Sequence, residues 1–237
     1  MVSRLKHRAF SSSAGNETLT LAHQAPSGAE EQAVIPLSDD DISRFITSVS
    51  PQAICISGRF GDVFRGIHKT IGEVALKRLR IGGAAVDEQA IRREADTWRR
   101  LEHPHVLRFL GTYKPEAHLY FVSPFMQNGT LLEYVNDRPG VNRVRLLYET
   151  SDAVAYLHRE SIVHGDIKAS NLLISDDGHV LLCDFGLAKS TYSHTSTALK
   201  GAGTFRWQSP ELWNNEPRSF ASDGYAFSMT IVEVMDL

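Results

Sequence analysis

Asp166, Lys168, Asn171 and Asp184 are the side chains whose types and spacing suit chemistry on phosphate. The first three lie in His164-Gly165-Asp166-Ile167-Lys168-Ala169-Ser170-Asn171, and Asp184-Phe185-Gly186 begins thirteen residues after Asn171. Phosphoryl transfer needs a carboxylate to orient the attacking hydroxyl, a cation to steady the moving group, and oxygen ligands for hard cations such as magnesium. These four residues supply those groups in that order. The stretch between the two loops must position them. Leu172-Leu173-Ile174 and Val180-Leu181-Leu182-Cys183 flank the turn Asp176-Asp177-Gly178, the pattern of a β-hairpin. A hairpin returns its ends to one another, so the loops at its two ends should meet.

The elements upstream follow from the same pattern reading. β-Rich runs at 53–56, 62–67 and 73–77 predict three successive hairpin strands. A helix is expected over 87–101, with Ile91, Ala95, Trp98 and Leu101 on one face, and His103-Pro104 ends it. Strands around 106–113 and 119–123 would complete a five-stranded sheet. After Asn128-Gly129 the pattern turns helical, first at 131–135 and then over 144–159. Gly58-Arg59-Phe60-Gly61 joins the first two strands as a loop whose backbone amides could lie over phosphates without side-chain obstruction. Val74-Ala75-Leu76-Lys77 ends the third strand in a cation, and Glu94 lies in the following helix.

Taken together, these motifs resemble the signature set of eukaryotic protein kinases. The resemblance implies an α+β, two-lobed protein-kinase-like fold over 52–237. Residues 52–123 would form a small five-stranded N-lobe with one helix, and 124–237 an incomplete helical C-lobe. It further implies an ATP-dependent protein serine/threonine kinase that uses ATP and Mg2+ to phosphorylate protein hydroxyls. Asp166 resembles the base and Lys168 a phosphate contact, while Lys77 and Glu94 resemble the pair that aims a cation at the nucleotide. By the same resemblance the nucleotide would meet Gly58, Gly61, Val63, Ala75, Lys77, Ser123, Met126, Asn171, Leu173 and Asp184, with Asn171 and Asp184 as the metal ligands. Val122-Ser123-Pro124-Phe125-Met126 is similar to the hinge that binds adenine through its backbone. Lys168 and Gly203-Thr204-Phe205-Arg206-Trp207 resemble the tyrosine-kinase-like group of serine/threonine kinases.

Three departures qualify the likeness. Ile56 replaces a family glycine, and Ser209-Pro210-Glu211 departs by one hydroxyl from the usual Ala-Pro-Glu. Gly165 stands where the family often has the arginine that binds an activation-loop phosphate. Phosphorylation of the hydroxyls Ser190, Thr191, Tyr192, Ser193, Thr195, Ser196 and Thr197 is therefore expected not to be required. The sequence stops within the expected helix 221–237, which is apolar nearly all round. That end and Ile56 support an alternative, a truncated pseudokinase-like module that binds nucleotide or protein without turnover.

At 237 residues, 42% hydrophobic and 22% charged, the chain can bury a sizeable core. A net charge of -3 gives no reason to expect nucleic acid or a polybasic membrane contact. Cys55 and Cys183 show neither disulfide nor zinc spacing, and no apolar run reaches the roughly 18 residues of a membrane span. A soluble intracellular protein of open oligomeric state, cytoplasmic or in another compartment, is expected. Residues 1–36 read as a flexible tail. Its start, with Arg4, Lys6, Arg8 and the run Ser11-Ser12-Ser13 before the first acid at Glu17, is shared by ordinary basic tails and mitochondrial transit peptides. Over 37–51, Asp39-Asp40-Asp41 ahead of Ile42, Phe45, Ile46 and Val49 predicts one short amphipathic helix.

Overall fold

Alternation of β-branched and aromatic residues with small or polar ones builds the first half of the molecule. The computed structural model describes residues 40–57, 61–79, 88–116, 118–190 and 204–236. Strands β1 (Ile46–Ser57), β2 (Gly61–His68), β3 (Gly72–Arg78), β4 (Gly111–Tyr113) and β5 (Tyr120–Pro124) form an antiparallel sheet in the order β1-β2-β3-β5-β4. The period of two sends Phe64, Val74, Leu76, Tyr120 and Val122 to one face, where they make a small core. Val63 and Ala75 fall on the other face with their registered partners Lys77 and Ser123. That second face is the one turned toward the candidate site.

Over the described part of the helix expected at 37–51, residues 40–51, no such helix forms. Residues Ser43–Phe45 make a single 3-10 turn, and the chain enters β1 at Ile46. Ile46, Ser48 and Val49 pair with His68, Ile67 and Gly66 of β2, and Ile42, Ile46 and Val49 pack against the small core. Thr47, Val49 and Pro51 disfavour a helix, whereas Pro51 is tolerated in an edge strand such as β1. The sheet therefore begins before residue 52, and the expected tail, 1–36, lies outside the described residues. The strand expected over 106–113 also shortens to β4. Its first part pairs elsewhere: Leu107 N–H donates to Leu182 O and Leu182 N–H to His105 O, both at 2.9 Å.

Helix α1 (Glu88–Arg99) buries Ile91, Ala95 and Trp98. Helix α2 (Leu131–Asp137) starts at a capping box in which Thr130 and Glu133 satisfy each other's backbone N–H. Helix α3 (Arg143–Arg159) is capped by Asn142 and buries Leu146, Leu147, Val154 and Leu157. β6 (Ile162–Val163) later pairs with β9 (Lys189–Ser190), and β7 (Leu172–Ile174) pairs with β8 (Val180–Leu182) as the expected hairpin. A short α4 (Pro210–Trp213) precedes α5 (Phe220–Met235), which opens on the Ser219 capping box. One hydrophobic cluster runs from Trp98 and Phe121 through α2, α3 and the hairpin to Ala226 and Val234 of α5. Among the described residues no helix is long and apolar enough to cross a membrane.

One buried carboxylate fixes the hairpin on α3. Glu149, 6% exposed, accepts from Val180 N–H at 2.9 Å and Arg145 Nη1 at 2.7 Å, and lies 2.9 Å from His179 Nδ1. Burial, the largest influence, raises its pKa, but Val180 N–H, His179 and Arg145 together hold it below the ordinary 4.5. A depressed carboxylate contributes stability that is present above its unfolded pKa and lost as pH falls through the folded one. Glu149→Gln should therefore cost about 1–3 kcal/mol in urea unfolding at pH 7. The gap from wild type should shrink once the pH drops below about 4.5. A gap constant from pH 7 to pH 3 would contradict this role.

Candidate active site

The loop that carries Asp166 has its backbone fixed from α5. Asp223, 1% exposed, accepts from His164 N–H and Gly165 N–H, each at 2.8 Å, one on each carboxylate oxygen. His158 Nε2 lies 3.0 Å from Asp223 Oδ2. Fully buried His164 stands 3.1 Å from Cys183 O through Nε2 and packs edge-on against Phe185, with ring centroids 5.4 Å apart. The loop leading into Asp184 is thereby tied to the loop leading into Asp166. Cys183 N–H donates to Asn171 O at 3.0 Å and closes the hairpin at its base.

Asp166 is 4% exposed, and both of its carboxylate oxygens are held. Oδ2 lies 2.9 Å from Lys168 Nζ and 3.0 Å from Asn171 Nδ2, while Oδ1 accepts from Thr204 N–H and Oγ1, both at 3.2 Å. Lys168 also donates to Thr204 Oγ1 at 2.6 Å, so Thr204 is tied to both residues. Burial, the largest influence, raises the Asp166 pKa. The Lys168 ammonium, His164 and the Asn171 hydrogen bond outweigh it and hold the carboxyl below its ordinary value. At neutral pH Asp166 is a carboxylate and can accept a proton.

Across the cleft, Lys77 Nζ lies 2.9 Å from Glu94 Oε1 and 2.8 Å from Asp184 Oδ1, joining β3, α1 and the second loop. Burial, the largest influence, lowers the Lys77 pKa, but Glu94 and Asp184 reverse it and raise it above the ordinary value, so the ammonium persists. Asp184 sits in the left-handed region, at φ 68° and ψ 76°. Phe185 behind it packs on Trp98 of α1, ring centroids 5.7 Å apart. Asp184 Oδ1 faces Lys77, and the Asn171 amide nitrogen is committed to Asp166 O and Oδ2. Carboxylate and amide oxygens remain as hard donors, the set that fits magnesium shared with substrate phosphates. Among the described residues no three His, Cys, Asp or Glu side chains converge as a metal cage.

The remaining nucleotide candidates line the same cleft in part. Gly61 needs to be glycine: its φ is +97°, and a Cβ there would lie 2.1 Å from Arg78 O. Gly58 lies outside the described residues, as do residues 191–203 of the expected activation loop. Val63, Ala75 and Lys77, whose side chain is 16% exposed, share the inner sheet face, and Ser123 is buried beside Ala75 at 5% exposure. Pro124 has no N–H, and Phe125 N–H donates to Glu73 O at 3.3 Å, so Met126 brings the next N–H along the hinge. Met126, Leu173 and Cys183 are partly buried against the main cluster.

Two residues that hold the loop around Asp166 escaped the sequence reading. Glu233 Oε2 accepts from Ala169 N–H at 3.0 Å and from Trp207 Nε1 at 3.1 Å, bracing the catalytic loop and the segment after Thr204 from α5. Its signal was available, because Glu233 is the one ionisable residue between Ala226 and Met235. Arg218 donates through Nε to Gly165 O at 3.2 Å, and no local pattern announces it.

The model of the protein kinase domain family matches residues 56–236. A probable serine/threonine-protein kinase of Dictyostelium discoideum is 32% identical over 185 residues, covering 75% of this chain and 37% of that protein. The serine/threonine-protein kinase STY46 of Arabidopsis thaliana is 29% identical over 184 residues, 76% of this chain and 32% of its own length. The tyrosine-protein kinase transforming protein Abl of Abelson murine leukemia virus is 32% identical over 184 residues, 75% of this chain and 24% of its own. The chain thus spans about a third or less of the length of these relatives.

Cys183 offers a chemical check on the closure of this site. Burial and the neighbouring Asp184 push its thiol up to about 12, against the opposing pull of Lys77 and Lys168. At pH 8 only about one thiol in 10⁴ would be thiolate. Iodoacetamide at pH 8, followed by peptide mapping, should leave Cys183 unmodified in the folded protein and label it in urea. Labelling at equal rates in both would show the site to be open.

Proposed function

The chain belongs to the protein kinase domain family, and from that premise we propose that it transfers the γ-phosphoryl group of ATP to serine or threonine hydroxyls of proteins. The observation that carries the reading is the convergence of Asp166, Lys168, Asn171 and Thr204 opposite the Lys77–Glu94–Asp184 group. Each of these polar side chains has the type that its step requires.

Asp166 orients the acceptor hydroxyl and takes its proton as the oxygen attacks phosphorus. Lys168, held by Asp166 and Thr204, faces the charge that spreads over the moving phosphoryl oxygens. Lys77, kept cationic by Glu94 and Asp184, contacts the phosphates that stay behind. Asn171 and Asp184 would hold magnesium, which neutralises phosphate charge when bound. Val63, Ala75, Ser123, Met126 and Leu173 would border the base, with Met126 backbone as the adenine contact, and Gly58 and Gly61 would cover the phosphates.

Lys168 bonded to Thr204 supports the serine/threonine reading and the tyrosine-kinase-like group. It places a cation two residues after the base. Gly165 supports control that does not depend on an activation-loop phosphate, since this position offers no cation of its own.

Phosphate transfer from magnesium ATP to a mixed serine, threonine and tyrosine peptide pool tests the assignment. Wild type should label serine and threonine, and Asp166→Asn should lower kcat by about 10²–10⁴ while leaving ATP binding intact. Lys77→Met should also weaken nucleotide binding. ATP binding without labelling in the wild-type protein would instead favour a binding module.

A further inference from the structure

Gly165 is held from both sides by the segment that opens α5. Its N–H donates to Asp223 Oδ1 at 2.8 Å, and its C=O accepts from Arg218 Nε at 3.2 Å. Both partners flank the Ser219 N-cap, where the reciprocal Ser219–Ser222 capping box fixes the start of the helix. Gly165 has φ +83°, a region that residues with side chains enter at a cost. A Cβ at this position would stand 2.6 Å from Arg218 Cδ, 3.0 Å from Arg218 Nε and 3.2 Å from Leu187 O. The space that a side chain would need is therefore filled by the Arg218 stem. Glycine at 165 and arginine at 218 are complementary: one vacates the volume, and the other occupies it and binds the carbonyl it exposes.

We propose that Arg218 is a positioning residue for the phosphoryl-transfer site. It locks the peptide that leads from Gly165 into Asp166 and so fixes the direction of the Asp166 carboxylate. This rests on Asp166 being the base proposed above. The peptide units before and after Gly165 are otherwise free to rotate, because glycine carries no side chain to restrict them. With Asp223 on the N–H and Arg218 on the C=O, both units are constrained, and a displacement of Asp166 would break one bond or the other. Arg218 meets the loop at the Gly165 carbonyl, ahead of Asp166, and is none of the residues proposed to contact nucleotide. Its removal should therefore change turnover and leave nucleotide affinity alone.

The test uses the full chain in four variants: Arg218→Ala, Arg218→Met, Gly165→Ala, and Gly165→Ala combined with Arg218→Ala. Amide exchange over 162–168, read by mass spectrometry, reports the loop independently of activity. Arg218→Ala should speed exchange there about tenfold and leave the β7–β8 hairpin unchanged. It should also lower kcat by about 10-fold to 100-fold, with KM for ATP within about twofold of wild type. Arg218→Met keeps the stem without the donor and should fall between Arg218→Ala and wild type. Gly165→Ala alone should lower kcat, and adding Arg218→Ala should cost much less than it does in wild type, since the two residues contest one space. Unchanged exchange in Arg218→Ala, or losses that simply multiply in the double variant, would overturn the proposal. If Arg218→Ala does not fold, exchange in Arg218→Met decides, and equality with wild type there counts against it. If the wild-type protein transfers no phosphate while exchange still responds to Arg218, the functional reading and the catalytic consequence fail, and only the hold of Arg218 on the Gly165 peptide stands.

Discussion

Lys77 is a cation that the fold can bury only because two carboxylates meet it. Glu94 arrives from α1 and Asp184 from the far end of the β7–β8 hairpin, so one ammonium requires sheet, helix and loop to be in place together. Such a group adds little net stability, because desolvation offsets most of the attraction. Its effect is on arrangement, since without the ammonium Glu94 and Asp184 would face each other with no counter-charge. The group holds two carboxylates and one ammonium, and that excess negative charge favours a further cation beside Asp184. Trp98 against Phe185 carries the same constraint into the apolar core.

A second constraint comes from α5. Asp223 holds the backbone before Asp166, Glu233 holds Ala169 after it, and Thr230 Oγ1 lies 3.5 Å from Ile167 O. The catalytic loop has little regular structure of its own, and a buried loop must find partners for its backbone polar groups. One helix supplies several of them. The apolar character of α5 then has a clear purpose on its inner side, where Ala226 and Val234 join the main cluster. Tyr225, Ile231, Val232 and Met235 remain exposed.

Legibility in the sequence followed the range of the interactions. The β7–β8 hairpin and the capped helices α2 and α3 rest on local patterns, and their boundaries were close. Lys77 with Glu94 was legible from motif order, though the contact spans 17 residues. The helix over 37–51 was misread because Ile42, Phe45, Ile46 and Val49 fit a helical face, while the competing partner β2 lies outside any local window. Residues 106 and 107 were misread as strand with 108–113 for a similar reason, because they lie along β8 and not β5. Arg218 was invisible, since its meaning depends on an absent side chain at Gly165, 53 residues away.

The central claim is that Lys77, Glu94 and Asp184, with Asn171, form a preassembled seat for nucleotide and magnesium. Titration calorimetry of ATP with and without magnesium tests it most directly. Magnesium should tighten ATP binding in the wild-type chain, and Asp184→Asn should remove this gain while metal-free ATP still binds. Equal ATP affinity with and without magnesium in the wild-type chain would contradict it.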